Sequence, residues 1–340
     1  MKAYVIKKGA NGYDALQRTN LDDPQPGANQ VVVRIKATSL NFRDLMYVGP
    51  GGRGGPAPRD FIPLSDGAGE IVAVGRDVQR VKVGDRVATS FFPRWVEGPP
   101  APQKLGALGS PAHDGTLSEY MLIHEDGVAV VPDYLTTEEA GTLSCAAVTA
   151  WNALFHAGGQ LKPTDTVLCM GTGGVSIFAL QMAKAAGARV IITSSSDEKL
   201  EHAKRLGADL TVNYKQSPEW DKEVMKLTDN KGVDCVVELG GAGTLARSYR
   251  SVGFGGRVQF IGVLANSEPG ETNPHPLAFK AASVNGIMVG TRTMLERCMA
   301  SMVISKYKPV IDKIFPFDDA SAAFRYLQSA KHFGKVVVTV

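Results

Sequence analysis

The sequence lacks several features that would mark other classes of protein. It has only four cysteines, Cys145, Cys169, Cys235 and Cys298, and no two form a CxxC pair. Each lies among apolar or small residues, the setting of reduced core thiols in a reducing compartment. The histidines at 113, 124, 156, 202, 275 and 332 show no metal-ligand spacing. Neither sign of charge dominates. The formal net charge is +3 and the Lys and Arg residues are scattered, too weak a signal for a nucleic-acid-binding stripe. No apolar run is long enough to cross a bilayer. Residues 1–8 carry no apolar stretch of signal-peptide length. These absences point to a cytoplasmic protein that binds neither nucleic acid nor membrane.

What is present divides into two textures. A chain of 340 residues is long enough for two domains. Residues 2–7, 31–36, 70–75 and 85–89 read as short strands separated by Gly, Pro and Asp turns, the pattern of a small barrel or sandwich. Residues 93–115 hold five prolines and four glycines and read as a loop on the surface or over a cleft. After about residue 146 apolar runs at 167–170, 189–193, 211–213, 233–238, 257–261 and 286–289 mostly alternate with helical periodicity. That alternation predicts an α/β fold, a doubly wound parallel sheet of six strands. A helix near 293–305, a segment at 311–317, a helix near 318–330 and a last strand at 335–340 follow, the strand returning to the first domain.

Gly171-Thr172-Gly173-Gly174-Val175-Ser176 falls between a predicted strand and a predicted helix, the context a GxGxxG-type match requires. Gly171 would make the tight turn and Gly173 would let the backbone approach a pyrophosphate. The helix N-terminus would offer its unpaired N–H groups to the anion. Ser176 stands where the third glycine would be and is nearly small enough for helix–strand packing. Cofactor choice is read about 20 residues further on. That position carries Ser194, Ser195 and Ser196 rather than a carboxylate, with Lys199 one turn beyond, which favours NADP(H) over NAD(H). Ser195 and Glu198 also have the spacing of a capping box.

With these motifs in view, the chain resembles the medium-chain dehydrogenase/reductase superfamily, and within it the zinc-independent, quinone oxidoreductase-like (zinc-type alcohol dehydrogenase-like) group. The resemblance rests on Ser39-Leu40-Asn41-Phe42-Arg43-Asp44, Ser65-Asp66-Gly67-Ala68-Gly69-Glu70, Val83-Gly84-Asp85-Arg86-Val87, Gly115-Thr116-Leu117-Ser118-Glu119-Tyr120, Thr149-Ala150-Trp151, the Gly171 loop and Gly334-Lys335-Val336-Val337-Val338. It covers nearly the whole length. It implies a GroES-like β-rich catalytic domain from residues 1–146, completed by 291–340, and a Rossmann dinucleotide-binding domain from 147–290. It also implies an active site in the cleft between them and assembly as a homodimer or tetramer. Zinc-dependent relatives hold a catalytic metal with Cys, His and a second Cys or Asp. At those positions this chain carries Asn41, Ser65 with Asp66, and Cys145, a poor set for zinc. Residues 90–115 lack the four cysteines of a structural zinc site. The expectation is therefore an enzyme that needs no metal.

The resemblance implies hydride transfer from the nicotinamide to a small-molecule acceptor. Without a Lewis acid, a quinone or an enone-type C=C/C=O substrate is favoured, because conjugation spreads the developing charge and hydrogen-bond donors then suffice. The candidates for that chemistry are Asn41, Arg43, Asp44 and Tyr47: Asn41 to bind substrate carbonyl or nicotinamide, Arg43 and Tyr47 as donors, Asp44 to orient Arg43. The nucleotide contacts implied are Asn41, Thr149, Gly171, Thr172, Gly173, Gly174, Val175, Ser194, Ser195, Lys199, Tyr214, Gly240, Gly262, Val263, Val289, Gly290 and Thr291. An alcohol or aldehyde dehydrogenase, and a nucleotide-binding protein that has lost turnover, are the competing readings.

Overall fold

The structure, a computed structural model, describes residues 1–49, 55–262, 264 and 273–340. The chain divides into two compact units, Met1–Val148 with Gly290–Val340, and Thr149–Val289.

The first unit begins with a hairpin, β1 (Lys2–Ile6) against β2 (Leu16–Asn20). β3 (Gln30–Leu40), β4 (Asp66–Val74), β5 (Arg86–Thr89), β6 (Tyr120–His124) and β7 (Val128–Val130) follow. β3 is the spine, paired antiparallel with β4 along most of its length and with β6 at its start. Its apolar residues Val31, Val33 and Ile35 are buried with Ile71, Val87, Met121 and Ile123. Val31, Val33 and Ile35 alternate along the strand, so they share one face of the sheet.

The second unit holds β8 (Thr166–Met170), β9 (Arg189–Ser194), β10 (Leu210–Asn213), β11 (Val233–Glu238), β12 (Val252–Phe260) and β13 (Ser283–Gly286). They form one parallel sheet in the order β10-β9-β8-β11-β12-β13, interleaved with helices such as Gly174–Ala185 and Ala242–Ser251. Strand order reverses between β8 and β11, the switch point outside whose strand ends doubly wound sheets bind ligands. The six parallel strands are those expected, with one displacement. The apolar run at 286–289 predicts the sixth strand, whereas β13 ends at Gly286. Pairing with β12 aligns Arg257 with Ser283 and Phe260 with Gly286, and Val289 turns to φ +44°, which no strand accommodates.

The chain then re-enters the first unit through the helix Arg292–Ser305, β14 (Ile311–Pro316), the helix Ala320–Gln328 and β15 (Lys335–Thr339). β15 lies between β14 and β3, so its Val336, Val337 and Val338 are fully buried. Residues 93–115 carry only a short turn of helix at Pro102–Lys104, yet Trp95 and Leu108 are buried within the unit. No helix among the described residues is long and apolar enough to cross a membrane.

Candidate active site

In the second unit, β8 ends at Met170 and Gly171 adopts φ +76°, a left-handed conformation that a side chain would strain. Nothing lies within 4 Å of where its Cβ would sit, so conformation and not crowding selects glycine here. Its N–H donates to Thr193 Oγ1 at 3.2 Å, tying the turn to β9. Thr172 is buried, and Gly173 is the N-cap of the helix Gly174–Ala185. That cap has no side-chain hydrogen bond, which leaves the first-turn N–H groups, including those of Gly174 and Val175, suited to an anion. Ser176 donates to the Met170 carbonyl at 2.5 Å, so its hydroxyl ties helix to strand where a glycine would only allow close packing. This cradle fits the pyrophosphate of a dinucleotide.

At the end of β9, Ser194 is buried and its Oγ accepts from Ser196 N–H at 3.3 Å. The helix Asp197–Arg205 is capped by Ser196, which accepts from Lys199 N–H. The capping box expected from Ser195 and Glu198 is therefore corrected by one residue. Ser195 is half-buried ahead of that cap, and Lys199 stands in the first turn behind it. The Asp197 carboxylate is engaged by Asn213 Nδ2 at 2.7 Å and Gln216 Nε2 at 2.8 Å. Tyr214 is exposed, its N–H donating to the Ser194 carbonyl.

The end of β11 holds a group that sequence reasoning did not single out. Glu238 is fully buried. Its carboxylate accepts from Gly240 N–H at 2.7 Å, Gly241 N–H at 3.0 Å, Thr244 Oγ1 at 2.7 Å and Ser248 Oγ. A buried carboxylate survives only with such a complement of donors. It pins the turn at 240–241 beside the switch point and the start of the helix Ala242–Ser251. An acidic residue closing an apolar strand before Gly-Gly is the signal that would have found it. Gly262 N–H donates to the Glu238 carbonyl, and a Cβ on Gly262 would collide with the Leu239 carbonyl. Val263 lies outside the described residues. Thr149 is buried at the start of this unit, and the Val289 carbonyl accepts from Asn152 Nδ2 at 2.8 Å. Gly290 and Thr291 belong to the other unit, where Thr291 caps the helix Arg292–Ser305 by accepting from Met294 N–H.

In the first unit, the residues after β3 and at the start of β4 converge on a buried lysine. Lys335 opens β15, directly ahead of three valines, and only 2% of its surface is exposed. Its ammonium donates to the Leu40 carbonyl at 2.8 Å, Asn41 Oδ1 at 2.7 Å and Asp66 Oδ2 at 3.1 Å. Asp66, fully buried, also accepts from Ser39 Oγ and Ser65 Oγ, each at 3.1 Å. Lysine at the head of an otherwise apolar inner strand was the available signal, since a buried ammonium must find partners.

The other candidates occupy the same turn. Asp44 accepts Asn41 N–H at 2.7 Å through Oδ2, fixing the turn Phe42–Asp44, while its buried Oδ1 has no hydrogen-bond donor. Burial pushes the Asp44 carboxyl up to about 6, against the pull of the Arg43 guanidinium and the Asn41 N–H. Arg43 Nη1 stands 3.9 Å from Asp44 Oδ1 but donates to the Leu108 carbonyl at 2.8 Å, and its guanidinium lies over the Phe91 ring at 4.8 Å. Those contacts hold the 91–108 segment. Tyr47 packs edge-on against Phe61, with ring centroids 5.2 Å apart. The structure thus brings Asn41 and Asp44 together with Lys335 and Asp66, and turns Arg43 and Tyr47 toward packing.

This donor set does not fit a zinc ion. The oxygens of Asn41 and Asp66 already hold an ammonium, and a second cation there would meet its charge. Burial, with the Asp66 charge next in weight, pushes the Cys145 thiol up. Among the described residues no three of His, Cys, Asp and Glu are grouped to hold a metal.

Residues 27–133 match the alcohol dehydrogenase GroES-like domain family and residues 174–305 match the zinc-binding dehydrogenase family. A zinc-type alcohol dehydrogenase-like protein of Schizosaccharomyces pombe is 40% identical over 347 residues, covering 99% of each chain. Among solved structures, an NAD-dependent alcohol dehydrogenase is 33% identical with a TM-score of 0.87, covering both chains fully. A quinone oxidoreductase of Pseudomonas syringae pv. Tomato is 30% identical with a TM-score of 0.81, again over both full chains. The chain belongs to the zinc-type alcohol dehydrogenase-like group of the medium-chain dehydrogenase/reductase superfamily, and it is an oxidoreductase.

Proposed function

We propose that this oxidoreductase takes a hydride from NADPH and delivers it to a quinone or an enone-type acceptor without zinc. The observation that carries the reading is the Lys335–Asn41–Asp66 cluster, an ammonium among hard oxygen ligands where zinc-dependent relatives need thiolate and imidazole. A bound nicotinamide supplies the hydride. The protein holds the pyrophosphate on the turn at 171–175. It meets a 2′-phosphate with Ser194, Ser195 and Lys199, while Asn213 and Gln216 hold the Asp197 carboxylate. Thr149, Tyr214, Gly240, Gly262, Val289, Gly290 and Thr291 complete the nucleotide contacts. Asn41 supplies a hydrogen bond to the acceptor's carbonyl oxygen as charge develops there. Asp44, with its carboxyl poised near 6, is the group in this turn suited to exchange a proton close to neutral pH.

An alcohol or aldehyde dehydrogenase is the second reading, favoured by the NAD-dependent alcohol dehydrogenase structure described above. A panel of 2-cyclohexen-1-one, 1,4-benzoquinone and cyclohexanone, each with NADPH and NADH, separates them. Oxidation of NADPH by the enone or the quinone but not by the saturated ketone is expected. Faster turnover of cyclohexanone, or a preference for NADH, would overturn the reading. We propose further that the protein is a homodimer. β13 is an edge strand of the six-stranded sheet, and Phe254 and Phe279, 73% and 72% exposed, leave a paired apolar patch on this unit.

A further inference from the structure

Asn41 ends in two chemically opposite atoms, and its surroundings use only one. Oδ1 accepts from Lys335 at 2.7 Å. Nδ2 is buried and has no hydrogen-bond partner. An ammonium has three donors and no acceptor, so charge alone decides which amide atom faces it. A reversed amide would set N–H against N–H and forfeit the bond. Lys335 is itself immobilised, because its other two hydrogens are taken by the Leu40 carbonyl and by Asp66. Asp66 is held in turn by Ser39 and Ser65, and the Asn41 backbone is held by Asp44. Two buried side-chain atoms of this network make no hydrogen bond, the acceptor Asp44 Oδ1 and the donor Asn41 Nδ2. Unpaired buried donors are rare, and one retained in a rigid network marks a place where a ligand supplies the acceptor.

We propose that Lys335 is a positioning residue: by holding Asn41 Oδ1 it forces the amide to present Nδ2–H, never its carbonyl, to a carbonyl-type oxygen of the bound ligand. The proposal rests on the reading above that puts Asn41 in the reaction. The ligand oxygen is that of the acceptor's ketone or quinone, or that of a carboxamide on the nicotinamide. Both have the same hydrogen-bond chemistry, and Lys335 acts on either only through Asn41.

The decisive variant is Asn41→Asp. It keeps the size and keeps an oxygen for Lys335, and a thermal melt checks that it folds. It replaces the outward N–H by an acceptor. The expected result is a fall of about 100-fold in kcat/KM for 2-cyclohexen-1-one with NADPH, or a comparable weakening of NADPH binding by fluorescence titration. The first assigns the donor to the acceptor and the second to the carboxamide. Parental values in both assays overturn the proposal. Lys335→Met gives a readout independent of turnover. The Asn41 side-chain ¹⁵N–¹H pair, assigned by its absence in Asn41→Asp, should shift and broaden once the amide is released, and an unchanged pair overturns the proposal. Should Lys335→Met leave Asp66 unpaired and fail to fold, Asn41→Asp carries the test alone. If the parent reduces no acceptor, the functional reading fails, and the NADPH titration and the amide signals still decide the role of Lys335.

Discussion

Asp44→Asn changes one atom and removes a titration that works against the fold. Burial raises the Asp44 carboxyl from an ordinary value of 3.8 to about 6. A carboxyl raised in the folded state binds its proton more tightly there than in the unfolded chain. Its contribution to stability is therefore fully present below about pH 4 and is lost as pH rises through about 6. At 1.36 kcal/mol per pH unit, that difference is a penalty of about 3 kcal/mol at neutral pH. The replacement asparagine would still accept the Asn41 N–H through its side-chain carbonyl, so the turn Phe42–Asp44 keeps its anchor. Glu125 and Asp209, whose carboxyls are lowered by the hydrogen bonds and cations around them, give slopes of the opposite sign in both proteins and cancel in the difference. Urea unfolding of the two proteins between about pH 4.5 and pH 8 measures that difference. The stability of Asp44→Asn relative to the parent should rise across this range by as much as about 3 kcal/mol. A difference that is flat with pH, or that falls, would show that Asp44 ionises in the fold as it does in water.

In the second unit, Gly171→Ala puts a Cβ on a residue at φ +76° and should cost about 1–2 kcal/mol in stability, while weakening NADPH binding at least tenfold, read by a melt and a fluorescence titration. Glu238→Gln puts an NH₂ among four donors and should cost about 2–4 kcal/mol, because a buried set of N–H and O–H groups loses its acceptor; an unchanged urea midpoint would contradict this. Ser194→Asp should repel a 2′-phosphate and shift preference from NADPH toward NADH, measured as the ratio of the two dissociation constants.

The parts of this molecule that are legible from sequence are those where local chemistry dictates structure. Gly171 announces its turn because only glycine takes that backbone conformation without strain, and the buried strands β8 and β11 announce themselves as short apolar runs. What escapes depends on partners distant in sequence. β13 sits at Ser283–Gly286 because β12 sets its register, although Ile287-Met288-Val289 is the more strand-like run. β6 gives a weak strand signal, since the exposed Leu122 makes its apolar residues run on rather than alternate and its pairing lies about 90 residues back on β3. The helix cap moves from Ser195 to Ser196 by a one-residue choice within a run of three serines. Asn41 is visible as a candidate, but its partner Lys335 is 294 residues away and enters only as part of a strand. Arg43 is visible as a candidate donor, but the Leu108 carbonyl that takes one of its hydrogen bonds is 65 residues off.

Transfer of deuterium from NADPH labelled at C4 to 2-cyclohexen-1-one, followed by mass spectrometry of the product, tests the account most directly. The expected product is cyclohexanone carrying deuterium on the carbon β to the carbonyl, made by protein from which zinc is absent. Deuterium on the carbonyl carbon, or turnover that appears only when zinc is added, would contradict it.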